Sequence, residues 1–340
     1  MISILTLEKR KNAFRELGQY LADPDEQLNQ LINSAHHHNP WFTPQETHRA
    51  VKALAQMLNK EDIDHWLGYV QPITEIKKIG LVLAGNIPLV GLHDILCVLA
   101  TGNHALIKLS SQDKKLIPHL LNMLTEFEPA FASHFSYTEK LEAFDAVIAT
   151  GSNNTARYFE YYFGKVPHII RKNRNSVAVL SGKESPEQLA ALGDDIFSYF
   201  GLGCRNVSKL FVPVQYSFTP LFQAIERFNT VGNHYKYINN YDYNKSIFLV
   251  NGNKHLDNGF LLIKQDEKTA SPLATVYYEE YETLEELNTK LNALSNELQC
   301  VVSMLPLQVK ECLVDFGQSQ HPKLWDYADG INTIKFLQDL

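Results

Sequence analysis

A chain of 340 residues, 45% apolar and 20% charged, holds enough material for two packed domains and excludes extended disorder away from its ends. Its formal net charge of −7 gives no general attraction to nucleic acid or to an anionic membrane, which leaves small molecules as the expected partners. The cysteines, Cys97, Cys204, Cys300 and Cys312, are scattered without C-x-x-C spacing, arguing against a disulfide framework or a zinc site and for reduced thiols with no metal bound.

Met1-Ile2-Ser3-Ile4-Leu5 runs directly into Glu8-Lys9-Arg10-Lys11, which is not a secretory pattern, and no apolar run is long enough to span a bilayer. A cytoplasmic protein is expected. Residues 1–70 read as a helical segment. A first apolar-periodic stretch leads to Thr43-Pro44-Gln45-Glu46, a capping box opening a helix through Ala55 and Met57, and a shorter helix covers 62–67. Between the first two, His36-His37-His38-Asn39-Pro40-Trp41-Phe42 reads as a loop with an aromatic anchor rather than a metal site, because adjacent histidines point in different directions.

From Lys78 the pattern switches to short β-branched runs at 79–84, 105–109, 146–149 and 169–170, with helices after the first three. Such alternation predicts a parallel sheet covered by helices, with ligands at the carboxyl ends of its strands. Two of those ends carry Gly85-Asn86-Ile87-Pro88 and Thr150-Gly151-Ser152-Asn153-Asn154, and neither is a G-x-G-x-x-G or Walker loop. Asn86 can equally serve as the cap of a helix beginning near Pro88.

A second α/β region begins at Ser185, which with Pro186 and Gln188 forms a capping box for a helix presenting Leu189, Leu192, Ile196 and Phe200. Gly201-Leu202-Gly203-Cys204-Arg205-Asn206 follows and leads into a strand, so Cys204 lies past a helix end, behind two glycines. That placement suits a nucleophile, whereas an arbitrary cysteine is more often a small buried hydrophobe. Arg205 and Lys209 either lower the Cys204 pKa or are solvated charges. Further along, the sequence predicts a helix over 219–228, a Tyr- and Asn-rich helix or loop over 235–243, strands at 247–250, 260–263 and 274–278, a helix capped by Thr283 and Glu286, and strands at 300–303 and 331–337. The expected domains are 1–70 (helical segment), 71–182 (nucleotide-binding α/β domain), 183–320 (catalytic α/β domain carrying Cys204) and 321–340 (C-terminal strand region).

Taken in order, these pieces resemble the aldehyde dehydrogenase superfamily from about residue 79 to 337. Gly85-Asn86-Ile87-Pro88 is similar to its asparagine-apolar-proline turn, and Ala100-Thr101-Gly102-Asn103-His104-Ala105-Leu106-Ile107-Lys108 to its A-x-G-N-x-x-x-x-K. Thr150-Gly151-Ser152 resembles the turn opening the nicotinamide-side helix, and Gly203-Cys204 aligns with the nucleophile. The short length and Trp325-Asp326-Tyr327-Ala328-Asp329-Gly330-Ile331 look most like the long-chain fatty-acyl-CoA reductases of bacterial luminescence systems. The resemblance implies an aldehyde-dehydrogenase-like fold of two doubly wound α/β domains with a helical N-terminal segment. It also implies Cys204 as nucleophile, Asn86 as oxyanion donor, and Gly85, Lys108, Ser111, Gly151 and Ser152 around the nucleotide.

Departures from the family narrow the expectation. Oxidising members carry a glutamate that activates the water hydrolysing the thioester, and the corresponding Ile170-Arg171-Lys172-Asn173-Arg174-Asn175-Ser176 has no acid. The ribose-binding glutamate four residues before Pro272 is Lys268, and Ala156 or Arg157 replaces the second glycine of the nicotinamide-side turn. Ser111 replaces the acid that often follows the strand lysine by three positions, removing a charge that repels a 2′-phosphate and favouring NADPH over NADH. The expected activity is therefore NADPH-dependent reduction of an acyl-CoA to the aldehyde, by a homo-oligomer or beside a partner enzyme supplying acyl groups. The alternatives are an aldehyde or semialdehyde dehydrogenase and a non-catalytic nucleotide-binding subunit of a fatty-acid reductase complex.

Overall fold

The computed structural model describes residues 5–340, with Asn153 by its backbone alone; residues 1–4, which begin the stretch expected not to be a secretory signal, lie outside the described residues. The chain divides into two compact units, 1–173 with 322–340, and 174–321. The first opens with α1 (Leu7–Ala22), α2 (Glu26–Ser34), α3 (Pro44–Met57) and α4 (Lys60–Leu67). Side-chain caps start all of them. Thr6, Asp25, Thr43 and Asn59 each accept a backbone N–H of the first turn, a contact typically worth about 1 kcal/mol.

The helices lead into β1 (Lys78–Val82), α5 (Leu92–Thr101), β2 (His104–Lys108), α6 (Leu116–Phe127), β3 (Phe135–Tyr137), β4 (Ala146–Thr150), α7 (Asn153–Phe163) and β5 (His168–Arg171). The strands form a wholly parallel sheet in the order β3-β2-β1-β4-β5. Its buried Ile79, Leu81, Ala105, Ile107 and Ile148 share one core with Ile95 and Leu99 of α5 and Phe14 and Leu17 of α1. Gly102 closes α5 in the left-handed region (φ 86°), a conformation that costs a glycine little and lets the chain turn at once into β2.

The second unit contains β6 (Asn175–Val179), α8 (Pro186–Phe197), β7 (Val207–Pro213), α9 (Thr219–Ile225), α10 (Tyr235–Val250), β8 (Leu256–Asp257), β9 (Leu262–Gln265), β10 (Thr275–Tyr281), α11 (Leu284–Ala293), β11 (Leu298–Val302) and β12 (Cys312–Val314). Its sheet runs β12-β11-β6-β7-β10-β9-β8, parallel except for the short edge strand β8. The capping box expected at Ser185 is complete: Gln188 donates its backbone N–H to the Ser185 hydroxyl, and the Gln188 side-chain carbonyl accepts from the Ser185 N–H.

Three expectations are corrected. Residues 247–250 are the last turn of α10, because the β-branched run follows a helix with no breaker before Asn251 and Gly252, and that helix buries Tyr237, Tyr241, Asn244 and Phe248. Residues 331–337 are not a strand. Asn332 caps α12 (Thr333–Gln338), whose buried Thr333, Ile334 and Leu337 follow helical spacing. The boundary drawn after residue 182 falls after 173, since β6 pairs with β7 and β11.

Residues 322–340 pack into the first unit through a polar and aromatic seam. Arg171, 3% exposed at the end of β5, pairs with Asp94 at 2.6 Å and donates to the Ala328 carbonyl and the Thr333 hydroxyl. Trp66 donates to the Tyr327 hydroxyl, and His93 Nε2 donates to the Leu324 carbonyl. The Trp325–Ile331 stretch thus has a structural task, holding the C-terminal segment against α4 and α5.

Candidate active site

In the first unit every expected nucleotide residue sits at the carboxyl edge of the parallel sheet. Gly85 and Asn86 follow β1, Lys108 ends β2 with Ser111 beyond it, and Gly151 and Ser152 follow β4. From β1 the chain proceeds to β2 and β3 on one side, then to β4 and β5 on the other, so the connections reverse between β1 and β4. Such a switch point opens a crevice at the strand ends, where doubly wound sheets bind their ligands.

The loops at this edge of the sheet are locked together. A Cβ on Gly85 would lie 2.7 Å from Ser110 Cβ, so only glycine lets the loop after β1 lie against the loop after β2. Asp113, which the sequence reading passed over, accepts the backbone N–H of Leu89 at 2.9 Å and holds that residue at φ 61°, in the left-handed region. Burial pushes the Asp113 carboxyl up to about 6, while the N–H groups of Leu89, Leu116 and Ile117 oppose the shift. The acid of this loop is therefore turned inward, while Lys108, Ser111, Gln112, Lys114 and Lys115 are exposed. Ser152 caps α7 through the Thr155 N–H at 3.3 Å. A lysine, a serine and a helix N-terminus, with the carboxylate withdrawn, are groups of the kind that bind the phosphates of a nucleotide.

Asn86 is exposed at the tip of its loop. The expectation that it caps a helix near Pro88 is corrected, because α5 begins only at Leu92 with Gly91 at its N-cap.

In the second unit α8 ends at Phe197, so Phe200 lies beyond it, and the chain turns through Tyr199 (φ 51°), Phe200 (φ 57°) and Gly201 (φ 79°) before reaching Cys204. Left-handed backbone costs a non-glycine residue about 1–2 kcal/mol, and here two buried aromatic residues adopt it in succession. Strain of this kind persists where the surroundings over-determine the turn, and it concentrates at functional sites. Cys204 is exposed, while Cys300 is buried and Cys97 is fully buried. Burial pushes the Cys300 thiol up to about 11 despite the opposing charge of Arg205, and burial also raises Cys97. Those two stay protonated and unreactive near neutral pH.

Lys209 does not serve Cys204. Its fully buried ammonium donates to Glu279 at 2.7 Å and to the Glu267 carbonyl at 2.8 Å, and it faces the Phe211 ring. Arg205 exerts its charge on Cys300. The residues that do hold the Cys204 loop, Ser176 and Asn206, were missed. Their only sequence signal is polarity beside strand residues that are otherwise apolar.

The sequence matches no family model and no curated protein. Solved structures supply the comparison. Aldehyde dehydrogenase 21 from Physcomitrella patens, solved with its reaction product succinate, superposes with a TM-score of 0.70 at 12% identity, over 99% of this chain and 85% of its own. The fold is that of an aldehyde dehydrogenase. An NAD-dependent benzaldehyde dehydrogenase from Corynebacterium glutamicum is similar at a TM-score of 0.67 and 12% identity, over 92% of this chain and 81% of that one. An NADP-dependent glyceraldehyde-3-phosphate dehydrogenase from Bacillus halodurans, complexed with NADP, gives 0.63 and 13%, over 92% and 79%. The aldehyde dehydrogenase architecture accounts for both sheets of this chain, and no described helix is long and apolar enough to cross a membrane.

Proposed function

We propose that this protein reduces an acyl-CoA, a fatty acyl thioester in particular, to the aldehyde through a thioester on Cys204. The reading is carried by the stretch 170–176, where oxidising members of the resembled family hold a water-activating glutamate. It contains no acid, and its arginines are committed elsewhere: Arg171 to Asp94, and Arg174 to the carbonyls of Ser295 and Leu298. With no acid in that stretch to activate water, the acyl-enzyme would be spared that route of hydrolysis and persist for reduction.

In this reading the Cys204 thiolate attacks the thioester carbonyl carbon, and the new C–S bond forms as the C–S bond to CoA breaks. CoA leaves as a thiolate and takes its proton from solvent. The Cys204 N–H would stabilise the oxyanion on the way in and again during reduction, and the family resemblance assigns the Asn86 amide as the side-chain donor. When bound, a dinucleotide would supply the hydride, with Lys108 and Ser111 as the residues that would hold its adenosine end and Gly85, Gly151 and Ser152 as further residues of its site. Collapse of the resulting hemithioacetal expels the Cys204 thiolate and releases the aldehyde.

Incubation with a labelled long-chain acyl-CoA in the absence of nucleotide tests this directly. The expected result is a stoichiometric label on the Cys204 peptide, converted to aldehyde when NADPH is added. An unlabelled protein that oxidises aldehydes with NADP would overturn the proposal in favour of a dehydrogenase. An unlabelled protein that only binds nucleotide would leave a non-catalytic subunit.

Nucleotide choice is tested at Ser111. Placing a carboxylate near a 2′-phosphate costs about 1 kcal/mol or more even in a watery setting, so Ser111→Glu is expected to raise the KM for NADPH by about tenfold. The KM for NADH should stay nearly constant. Equal changes for the two nucleotides would remove Ser111 from the phosphate site.

A further inference from the structure

Helix α8 leaves its last carbonyls without intrahelical partners, because the left-handed turn at Tyr199–Gly201 prevents the helix from continuing. Asn206, 4% exposed, caps two of the carbonyls at this end: its Nδ2 donates to the carbonyl of Ser198 at 2.8 Å and of Asp195 at 3.1 Å. The same amide presents Oδ1 to the Gly203 N–H at 2.8 Å, and the Asn206 N–H returns to the Gly203 carbonyl at 3.0 Å. Only a side chain with both a donor and an acceptor at its tip makes this set. Aspartate would aim a charge at carbonyl oxygens, and leucine would leave every partner unpaired.

On the other side of the cysteine, Ser176 Oγ donates its single proton to the Cys204 carbonyl at 3.0 Å. Its lone pairs accept the Cys300 N–H at 3.3 Å and face Cys300 Sγ at 3.1 Å. With the serine proton already committed, the thiol of Cys300 is the donor in that contact, consistent with its protonated state. Ser176 is fully buried and its hydrogen-bonding capacity is filled.

We propose that Asn206 and Ser176 are positioning residues for Cys204, clamping the backbone before and after it so that the Cys204 N–H and Sγ keep the orientation acyl transfer requires. This rests on the reading of Cys204 as nucleophile. Neither residue touches the reacting atoms, so each acts through the geometry of the loop.

Two reagents separate positioning from general integrity. Acyl transfer from p-nitrophenyl acetate passes through an oxyanion and needs the aligned N–H, whereas alkylation by iodoacetamide displaces iodide without one. Both are followed on the mass of the Cys204 peptide, with p-nitrophenolate release as a second readout and a melting curve reporting the fold. In folded Ser176→Ala and Asn206→Ala, acyl transfer should fall by about tenfold to a hundredfold while alkylation stays within about twofold. Ser176→Ala deletes one hydroxyl and decides the matter if Asn206→Ala does not fold. Rates that are both unchanged, or that fall together, would overturn the clamp, as would a wild-type protein that takes no acetyl group on Cys204. A wild-type protein acylated by the ester but by no acyl-CoA would remove the proposed substrate and leave the clamp standing.

Discussion

Cys204→Ala is expected to form no acyl adduct and no aldehyde while keeping its nucleotide affinity and its melting temperature nearly unchanged. In the proposed mechanism the thiolate bonds to the acyl carbon, so its loss removes the covalent route rather than slowing it. The side chain is exposed, and truncating it opens no cavity, which keeps the stability change within about 0.5 kcal/mol. Rescue by Cys97 or Cys300 is blocked by burial, since both are held protonated at neutral pH. Cys312 is half-buried and is the remaining competitor. Substantial aldehyde formation in Cys204→Ala, lost in Cys312→Ala, would move the nucleophile and with it the whole proposed mechanism.

Asn86→Ala is expected to slow acylation and reduction by a hundredfold to a thousandfold, about 3–4 kcal/mol, as when other oxyanion donors are removed. Substrate binding should change little, because in the proposed role the donor would meet negative charge only as the tetrahedral intermediate develops. A helix-capping role would give the opposite pattern, with about 1 kcal/mol of stability lost and a normal rate per folded molecule. The structure weakens that alternative, since α5 starts at Leu92 behind Gly91 and Asn86 stands outside its first turn. Single-turnover acylation measured beside a melting curve separates the two. A normal acylation rate in Asn86→Ala would leave backbone N–H groups as the oxyanion donors and remove Asn86 from the chemistry.

Local chemistry was enough to place most of the helices and the parallel strands. Caps such as Thr43, Ser185 and Thr283, and the switch from helical to β-branched periodicity near Lys78, are written within a few residues of where they act. The strand-end glycines Gly85 and Gly151, Lys108 and the loop position of Cys204 were legible for the same reason. The strands assigned at 247–250 and 331–337 mark the limit of that kind of reading: short β-branched runs suit either structure, and burial of Phe248 and of Ile334 with Leu337 decided for helix. Tertiary structure alone decided the sheet order β3-β2-β1-β4-β5 and its switch point, because strand neighbours are chosen by packing between segments far apart in the chain. It alone also disclosed Asp113 behind the Asn86 loop and the grip of Ser176 and Asn206 on the Cys204 loop. A single asparagine or serine carries no periodicity, and its role depends on which backbone groups the folded chain brings within about 3 Å of it.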